Sequence, residues 1–443
     1  MTRAIETVAV MGTGTMGAGI AALCANAGCR VLFMDMPARE GARNGVAAGA
    51  LQRMQEGKSP MLKDAEAVAR VEIGNFEDDL GRLSDVDWIV EVIVEDLAIK
   101  RGFFAKVEAA RRDGSIVTSN TSGIMLSAIC EGMPERLRRD IAVTHFFNPV
   151  LVMKLVELVP GADTDREVID TLAGFLDEKL GKGVVWAKDT VNFIANRIGC
   201  FWMLAGMNEA DAIFEAGMNI EEIDAAMSAP VGVPPTGLYG LLDLVGLDVL
   251  GLVAENLKQN LPAGDSAGRT YAKLPAAVAS MLERGQVGRK AGGGFYRMSK
   301  TADGGRLKET FDLTTGDWRE SRPVSLPDGR DTIDGLLFGD DAISRYSWKV
   351  MGATLLYAAD LVPEIADDVV NVDRAMRWGF NWRQGPFEML DSLGPRKVIE
   401  RLRADGQPVP HMLQVLEKAG ADGFYRNDGT EFLGVDGGWH KVP

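Results

Sequence analysis

The chain is poor in histidine and cysteine, the residues that most often bind transition metals. Its 443 residues include three histidines and four cysteines, Cys24, Cys29, Cys130 and Cys200. The cysteines lack the paired spacing of a metal site, and four are too few to frame a chain of this length with disulfides. We therefore expect no metal centre, and free thiols in a reducing compartment.

Positive charge and long apolar runs are also scarce. Lysine and arginine total 48 against 63 aspartates and glutamates, a formal net charge of −15. This balance argues against nucleic acid or an anionic membrane as a partner, and a polyanionic ligand would need a local basic patch. The apolar stretch 237–254 is interrupted by Asp243 and Asp248. The first predicted strand begins at Thr7 and leaves no room for a signal peptide, so we expect a soluble, cytoplasmic protein.

The first 35 residues carry the pattern of a dinucleotide-binding unit. An apolar strand leads into Gly12-Thr13-Gly14-Thr15-Met16-Gly17, and an alanine-rich helix follows. The first glycine permits the tight turn, the second lets the backbone approach a pyrophosphate, and the third allows close packing of helix on strand. A second strand ends at Asp35, where an acid accepts hydrogen bonds from a ribose 2′-hydroxyl and repels a 2′-phosphate. The alternative is a structural glycine turn without a ligand. The pattern favours NAD, bound by Gly12, Gly14, Thr15, Met16, Gly17 and Asp35.

Further apolar runs at 87–94, 115–118 and 141–147 alternate with helical patterns. This alternation is typical of a mostly parallel sheet, whose ligands lie beyond the carboxyl ends of the strands. Three polar groups fall at these ends, namely Glu95 with Lys100, the segment Ser119-Asn120-Thr121-Ser122, and Asn148. For any one residue of 119–122, the alternative role is to cap the next helix.

His145 lies inside one of these apolar runs, which is an unusual place for a titratable ring. Glu157 follows twelve residues later (157 − 145) in a second alternating run, and Asn148-Pro149 supplies a turn between the two. If the runs pair as antiparallel strands, the two side chains fall opposite each other. The carboxylate would then hold the tautomer of the imidazole and stabilise its charged form, as a general base requires. The alternative is a satisfied core histidine beside a surface glutamate.

Together these motifs resemble those of the 3-hydroxyacyl-CoA dehydrogenases, the oxidoreductases of fatty-acid β-oxidation. The matching blocks are collinear and cover about the first 300 residues, which makes them far more specific than one motif. They are 10–17, 91–100, 119–122, 145–149, 153–157, Lys188-Asp189-Thr190 with Asn196-Arg197, and Gly288-Arg289-Lys290 with Gly293-Gly294-Phe295-Tyr296.

The resemblance implies NAD-dependent oxidation of an (S)-3-hydroxyacyl-CoA to a 3-oxoacyl-CoA. It implies that His145 is the base and that Glu157 is its partner. Hydroxyl or amide groups of Ser122 and Asn196 would contact the reacting substrate. The residues it implies as cofactor contacts are Glu95, Lys100, Asn148 and Lys290.

Two segments depart from the family pattern. Where relatives commonly have Asp-Thr-Pro-Gly-Phe, this chain has Asp189-Thr190-Val191-Asn192-Phe193, a change on the backbone path to Asn196. The family's glycine–proline-rich segment is Pro234-Pro235-Thr236-Gly237-Leu238-Tyr239 here, a change that bears on the acyl pocket and on chain-length preference. Neither change removes a group with a chemical role.

Residues 37–76 are predicted to form an insertion of two helices joined at Gly57-Lys58-Ser59-Pro60. Arg53, Lys58 and Lys63 cluster around that joint, where they could meet the phosphates of CoA. Lys58 and Lys63 are therefore predicted substrate contacts, and a solvated charged face is the alternative.

From Thr190 onward the pattern is helical and contains an internal repeat. The segment 223–227 recurs as 372–376, an offset of 149 (373 − 224), and 237–246 recurs as 385–394. The tetrapeptide 294–297 recurs as 423–426. The second copy has no counterpart of Asn196-Arg197 or of Arg289-Lys290, so we expect it to be structural.

The predicted fold is an α/β Rossmann-type doubly wound sheet followed by two all-α domains related by internal duplication. The predicted domains are an NAD-binding domain at 1–188, a first helical domain at 189–297, a linker with one hairpin at 298–340, and a degenerate second helical repeat at 341–443.

The layout resembles the front of longer bifunctional relatives whose remainder is an enoyl-CoA hydratase. In shorter family members two subunits pair through the helical unit, so its duplication predicts a monomer or a homodimer. Two other functions stay open. One is a dehydrogenase of small 3-hydroxy acids, although those enzymes typically use a lysine as the base. The other is a non-catalytic NAD-binding scaffold.

Overall fold

The computed structural model describes residues 3–56, 59–301 and 304–443. These residues form two compact units, one ending at Phe193 and the other beginning at Ile194. Each unit has its own helices and strands. The predicted site residues that precede Phe193 belong to the first unit.

The first unit is built on an eight-stranded sheet in the order β3-β2-β1-β4-β5-β6-β7-β8. The first six strands in the chain are parallel and take the order of a dinucleotide-binding sheet. β7 runs antiparallel to β6, and β8 runs parallel to β7. The predicted Rossmann-type sheet is thus confirmed. The strands are β1 (Thr7–Met11), β2 (Arg30–Asp35), β3 (Val71–Asn75), β4 (Trp88–Glu91), β5 (Ile116–Ser119), β6 (Ile141–Phe146), β7 (Leu155–Pro160) and β8 (Gly183–Trp186).

Helices join these strands and cover the sheet. The first helix contains no charged residue, and eight of its 12 residues are buried, because small side chains let it lie close to the strands. The fourth helix begins directly after Asp96, whose carboxylate accepts the Ile99 N–H at 2.9 Å as an N-cap. The helices are α1 (Thr15–Asn26), α2 (Gly45–Gln55), α3 (Ala65–Ala69), α4 (Leu97–Ala110), α5 (Leu126–Cys130), α6 (Glu135–Asp140) and α7 (Arg166–Gly174), with a 3₁₀ turn at Leu80–Asp85 and a π-helical turn at Phe175–Lys179.

The predicted insertion at 37–76 differs from the structure at its end. Its two helices are present as α2 and α3, but residues 71–75 form β3 and pair in parallel with β2. The joint at Gly57 and Lys58 lies outside the described residues. Only the part of this segment before β3 is therefore an insertion, and its end belongs to the edge of the sheet.

The second unit contains fourteen described helices and two small sheets. The predicted linker carries a three-stranded antiparallel sheet instead of one hairpin, since β11 pairs with β10 beside β9. The chain ends in a second such sheet. The helices are α8 (Ala195–Asn208), α9 (Asp211–Glu215), α10 (Ile220–Ala226), α11 (Gly237–Val245), α12 (Leu247–Asn260), α13 (Ser266–Tyr271), α14 (Ala276–Glu283), α15 (Ile333–Leu337), α16 (Ala342–Ser347), α17 (Ala353–Leu361), α18 (Val369–Gly379), α19 (Pro386–Leu393), α20 (Pro395–Ala404) and α21 (His411–Ala419), with 3₁₀ turns at Ala229–Val231 and Arg289–Ala291 and a π-helical turn at Trp348–Gly352. The strands are β9 (Tyr296–Lys300), β10 (Arg306–Phe311), β11 (Trp318–Glu320), β12 (Tyr425–Arg426), β13 (Glu431–Leu433) and β14 (Trp439–Lys441).

The apolar stretch 237–254 lies in α11 and α12, which are bent by 93° relative to each other. As a pair they have the length and composition of a membrane span. Within the described ranges, no single helix is long and apolar enough to cross a membrane.

The internal repeat is visible as two matching sets of hydrogen bonds. In the first copy, Asp224 accepts the Tyr239 N–H at 2.6 Å and the Tyr296 hydroxyl at 2.7 Å. In the second, Asp373 accepts the Phe387 N–H at 2.8 Å and the Tyr425 hydroxyl at 2.7 Å. A second pair behaves in the same way: Asp243 accepts the N–H groups of Phe295 and Tyr296, and Asp391 accepts those of Phe424 and Tyr425. In each copy, an equivalent pair of aspartates therefore connects the small sheet to the helices.

Burial raises the pKa of these carboxyl groups, although the donated hydrogen bonds oppose the shift. The pKa of Asp224 rises to about 7, and those of Asp243 and Asp391 rise to about 6. Burial also raises the pKa of Asp373 well above its ordinary value. The four aspartates make the second unit sensitive to pH.

We expect the free energy of unfolding to fall as the pH rises from about 4 to about 7. An aspartate of the unfolded chain titrates near about 3.9. Between that value and their folded pKa, these groups bind more protons in the folded state than in the unfolded state. Stability is therefore greatest in the lower part of this window and levels off above about pH 7 with respect to these groups. Urea unfolding followed by circular dichroism measures the slope.

The variant Asp391→Asn provides the control for this prediction, since its amide does not titrate. Its free energy of unfolding should change less with pH than that of the natural chain. An identical slope in both proteins would show that Asp391 does not cause the effect.

Candidate active site

The turn after β1 has the close contacts that a dinucleotide site requires. Gly12 has a φ of +125°, and a Cβ there would lie 2.4 Å from the Val92 carbonyl oxygen. A Cβ at Gly17 would lie 1.9 Å from the Gly12 oxygen. A Cβ at Gly14, the residue before α1, would have no neighbouring atom within 4 Å. Among the described side chains none caps α1, so its first N–H groups are available to a pyrophosphate. The residues present fit a bound dinucleotide.

Asp35 lies at the end of β2, beside this turn. One carboxylate oxygen accepts both the backbone N–H of Thr13, at 2.7 Å, and its hydroxyl, at 2.6 Å. The other accepts the Met36 N–H at 2.7 Å. The carboxylate is half-buried and fixed in orientation, which suits recognition of a ribose hydroxyl. Sequence reasoning assigned no role to Thr13, and its hydroxyl between two glycines was the available signal.

A buried ion pair lies at the carboxyl end of β4. Lys100 donates to Glu91 at 2.7 Å, and the two side chains are 1% and 0% exposed. Glu91 also accepts the hydroxyl of Ser119 at the end of β5. Sequence reasoning gave Glu91 no role of its own, although it is a charged residue in an apolar run, the same signal that singled out His145.

Glu95 continues this polar cluster toward the surface. It accepts the Thr121 hydroxyl and the Ser122 N–H, the latter at 3.0 Å, and it lies 3.2 Å from the Lys100 ammonium. Desolvation would raise the pKa of Glu95, but the nearby Lys100 charge and these hydrogen bonds outweigh it and lower that pKa. Glu95 is therefore held ionised while it fixes the segment that ends in Ser122.

The predicted antiparallel pairing of β6 and β7 is confirmed, and it places His145 directly opposite Glu157. The Nδ1 atom of His145 lies 2.6 Å from Glu157, and its Nε2 atom lies 3.1 Å from the Ser122 hydroxyl oxygen. Both members of the pair are buried, at 3% and 0% exposure, so Glu157 is not a surface residue. Ser122 is exposed. The imidazole thus has its carboxylate on the inner side and a hydroxyl on its accessible side.

Aromatic and amide groups hold the surroundings of His145. The rings of Phe147 and Phe193 have centroids 4.5 and 5.7 Å from the imidazole. The Asn120 side chain accepts the Phe146 N–H at 2.8 Å and so connects the loop after β5 to β6. Both aromatic rings thus pack against the imidazole, and the Asn120 bond holds the strand residue that follows it.

The segment 189–193, which departs from the family pattern, contains two residues with left-handed backbone. Asn192 has a φ of +61°, in the left-handed region, which asparagine tolerates better than other non-glycine residues. Phe193 follows with a φ of +50°. Asp189, just before them, accepts the N–H groups of Leu126 and Ser127 at the start of α5. Asparagine therefore replaces the glycine of the usual motif without losing the turn.

Four of the remaining predicted residues lie in the described part of the chain. Asn148 is exposed just after β6. Asn196 lies in α8 of the second unit and is half-buried, and Lys290, also in that unit, forms an ion pair with Asp248 at 2.7 Å. Lys63 is exposed and Lys58 lies outside the described residues. Their contacts with ligands stay predictions.

Metal ligation finds no support in the part of the chain that the structure describes. It contains no group of three or more histidine, cysteine, aspartate or glutamate side chains that could hold a metal ion. The four cysteines are free thiols.

The sheet order and the glycine turn are those of a dinucleotide-binding domain. Residues 7–190 match the family model described as 3-hydroxyacyl-CoA dehydrogenase, NAD binding domain, and residues 193–298 match the C-terminal domain of the same family. The chain belongs to the 3-hydroxyacyl-CoA dehydrogenase family, and its cofactor is NAD.

Named relatives agree with this assignment. A probable 3-hydroxyacyl-CoA dehydrogenase of Bacillus subtilis is 35% identical over 100% of this chain and 58% of its own length. A putative fatty acid oxidation complex trifunctional enzyme of Rickettsia felis is 34% identical over 93% of this chain and 57% of its own. The solved structure of 3-hydroxybutyryl-CoA dehydrogenase from Escherichia coli has the same fold, with a TM-score of 0.68 and 23% identity over 93% of this chain and 98% of its own. The chain thus spans well under two thirds of the two curated relatives.

Asp35→Asn should reduce the preference for NADH over NADPH. The amide keeps an oxygen for Thr13 but loses the charge that repels a 2′-phosphate. We expect the ratio of the NADPH to the NADH dissociation constant to fall about tenfold, a change of about 1.4 kcal/mol. Fluorescence titration of both nucleotides measures it. Asp113→Asn, which removes an exposed carboxylate of the same unit, should leave the ratio unchanged. An equal ratio in the natural chain and the Asp35 variant would contradict the role of Asp35.

Proposed function

We propose that the chain oxidises (S)-3-hydroxyacyl-CoA to 3-oxoacyl-CoA with NAD, in fatty-acid β-oxidation. The observation that carries the proposal is the buried His145–Glu157 pair, which faces the Ser122 hydroxyl at the carboxyl ends of the sheet strands. The names of the relatives support the substrate class, and the family resemblance supports the S epimer.

His145 is the proposed base. Its Nδ1–H donates to Glu157, which leaves the lone pair of Nε2 directed toward the side of Ser122. From there it takes the proton of the substrate hydroxyl, and the buried carboxylate stabilises the imidazolium that forms. NAD, when bound, would supply the acceptor for the hydride that leaves the carbon bearing this hydroxyl.

Ser122 is the proposed hydrogen-bond donor to the substrate oxygen. Its own backbone N–H is fixed by Glu95, so the hydroxyl has a defined position 3.1 Å from the base. Asn196 is proposed as a second contact to the same oxygen. A donor aimed at the oxygen lowers the barrier as its charge changes during the reaction.

We propose that the glycine turn and Asp35 hold the adenosine half of NAD. The residues around the pyrophosphate would be Gly12, Gly14, Thr15, Met16 and Gly17. Glu95, Lys100, Asn148 and Lys290 are proposed for the rest of the cofactor. Lys100 is buried between Glu91 and Glu95, so we propose that it acts mainly by holding Glu95. Lys58 and Lys63 are proposed contacts to the phosphates of CoA.

The proposed setting is a cytoplasmic enzyme that works beside an enoyl-CoA hydratase. The Rickettsia felis relative, named a putative fatty acid oxidation complex trifunctional enzyme, supports this arrangement. We propose that the chain is a monomer or a homodimer, because the second helical copy supplies a partner for the first.

The test is NADH consumption with acetoacetyl-CoA, run beside NADPH and beside free acetoacetate. NADH-dependent turnover of the thioester is expected, and it should fall at least about a hundredfold in His145→Ala, the scale of a lost general base. Glu157→Gln should also lower kcat by about a hundredfold, because the amide no longer stabilises the imidazolium. His440→Ala, at an exposed histidine, should keep full activity.

Each alternative gives a different result in this assay. Preferred turnover of free acetoacetate would identify a dehydrogenase of small acids. NADH binding without turnover of either compound would identify a scaffold. Full activity in His145→Ala would refute the proposed base.

A further inference from the structure

Lys182 is a buried lysine that the mechanism does not use. It lies between the π-helical turn Phe175–Lys179 and β8, and it is 4% exposed. Its ammonium donates to two backbone carbonyl oxygens, those of Val150 and of Met153, the second at 2.7 Å. Burial lowers the pKa of Lys182 to about 8. An ammonium that is desolvated to bond neutral carbonyls has a definite structural purpose, because this burial is costly.

Both carbonyls belong to the turn that joins β6 to β7. Val150 and Met153 are buried, and the N–H groups of Val152 and Met153 both bond to the Pro149 oxygen at 2.9 Å. Two N–H groups of the turn are therefore satisfied locally, and two of its carbonyl oxygens accept hydrogen bonds from Lys182. Charge-assisted bonds of this type are stronger than neutral ones.

The same turn lies against the nucleotide-binding helix. Val150 packs directly on Gly19 of α1, since a Cβ at Gly19 would lie 2.8 Å from that of Val150. Gly19 is the fifth residue of α1 and so lies about one turn from the N-terminus that is available to the pyrophosphate. The turn begins directly after the strand that carries His145. It therefore connects the helix of the cofactor site with the strand of the base.

We propose that Lys182 is a positioning residue for NAD, acting through the β6–β7 turn that it fixes against α1. The proposal rests on the function proposed above. His145 and Glu157 are held opposite each other by the strand ladder, whose backbone hydrogen bonds do not involve the Lys182 ammonium. Loss of the ammonium should therefore weaken cofactor binding more than it slows the chemical step.

Lys182→Met tests this directly, because methionine fills similar space without a donor. We expect the NADH dissociation constant, measured by fluorescence titration, to rise about tenfold, a change of about 1.4 kcal/mol. The KM for NADH should rise in parallel, while kcat stays within about twofold. Lys182→Arg keeps a charged donor and should recover part of the affinity. Lys179→Met, at an exposed lysine three residues away, should bind NADH normally.

A folded Lys182→Met variant with unchanged NADH affinity would overturn the proposal. So would a fall in kcat at unchanged affinity. If Lys182→Met does not fold, Val150→Ala tests the same turn from the side of Gly19. Its NADH dissociation constant should rise, and an unchanged value would overturn the idea. Because the titration needs no turnover, a chain that binds NADH but leaves acetoacetyl-CoA unchanged refutes the proposed function alone.

Discussion

The antiparallel pairing of β6 with β7 is the constraint on which the candidate site depends. Opposite positions of this ladder hold His145 and Glu157, which are 3% and 0% exposed. A buried carboxylate without a partner is strongly unfavourable, so the pair is stable only while the register is kept. A shift of β7 by one residue would turn Glu157 to the other face of the sheet, away from His145. The strand pairing and the chemistry are therefore specified by the same contact.

Buried charge elsewhere in the first unit follows the same rule. Lys100 is compensated by Glu91 and Glu95, and Lys182 by two carbonyls. Hydrogen bonds from Ser119, Thr121 and Ser122 then join the ends of β4 and β5 to the histidine on β6. Such a network is stable only when each member has a partner. This network connects the ends of three neighbouring strands through hydrogen bonds and a buried ion pair.

Features with a period or a fixed local motif were predictable from the sequence. The glycine turn and the opposed His145 and Glu157 depend on spacing along the chain, which the sequence displays. β3 was missed because Val71-Glu72-Ile73-Gly74-Asn75 is short and has no clean alternation. The bonds of Thr13 to Asp35 and of Lys182 to the β6–β7 turn were missed because they depend on tertiary approach. A backbone carbonyl as acceptor leaves no mark in the sequence at all.

The duplicated aspartates have a consequence for the history of the chain. Each helical copy contains a full set of its own closing hydrogen bonds and borrows none of the four carboxylates from the other. A duplicated segment of this kind therefore keeps the hydrogen bonds that connect its own sheet to its own helices. The second copy lacks counterparts of Asn196-Arg197 and Arg289-Lys290 yet keeps these hydrogen bonds, so the bonds serve the fold of the copy and not the binding of a ligand.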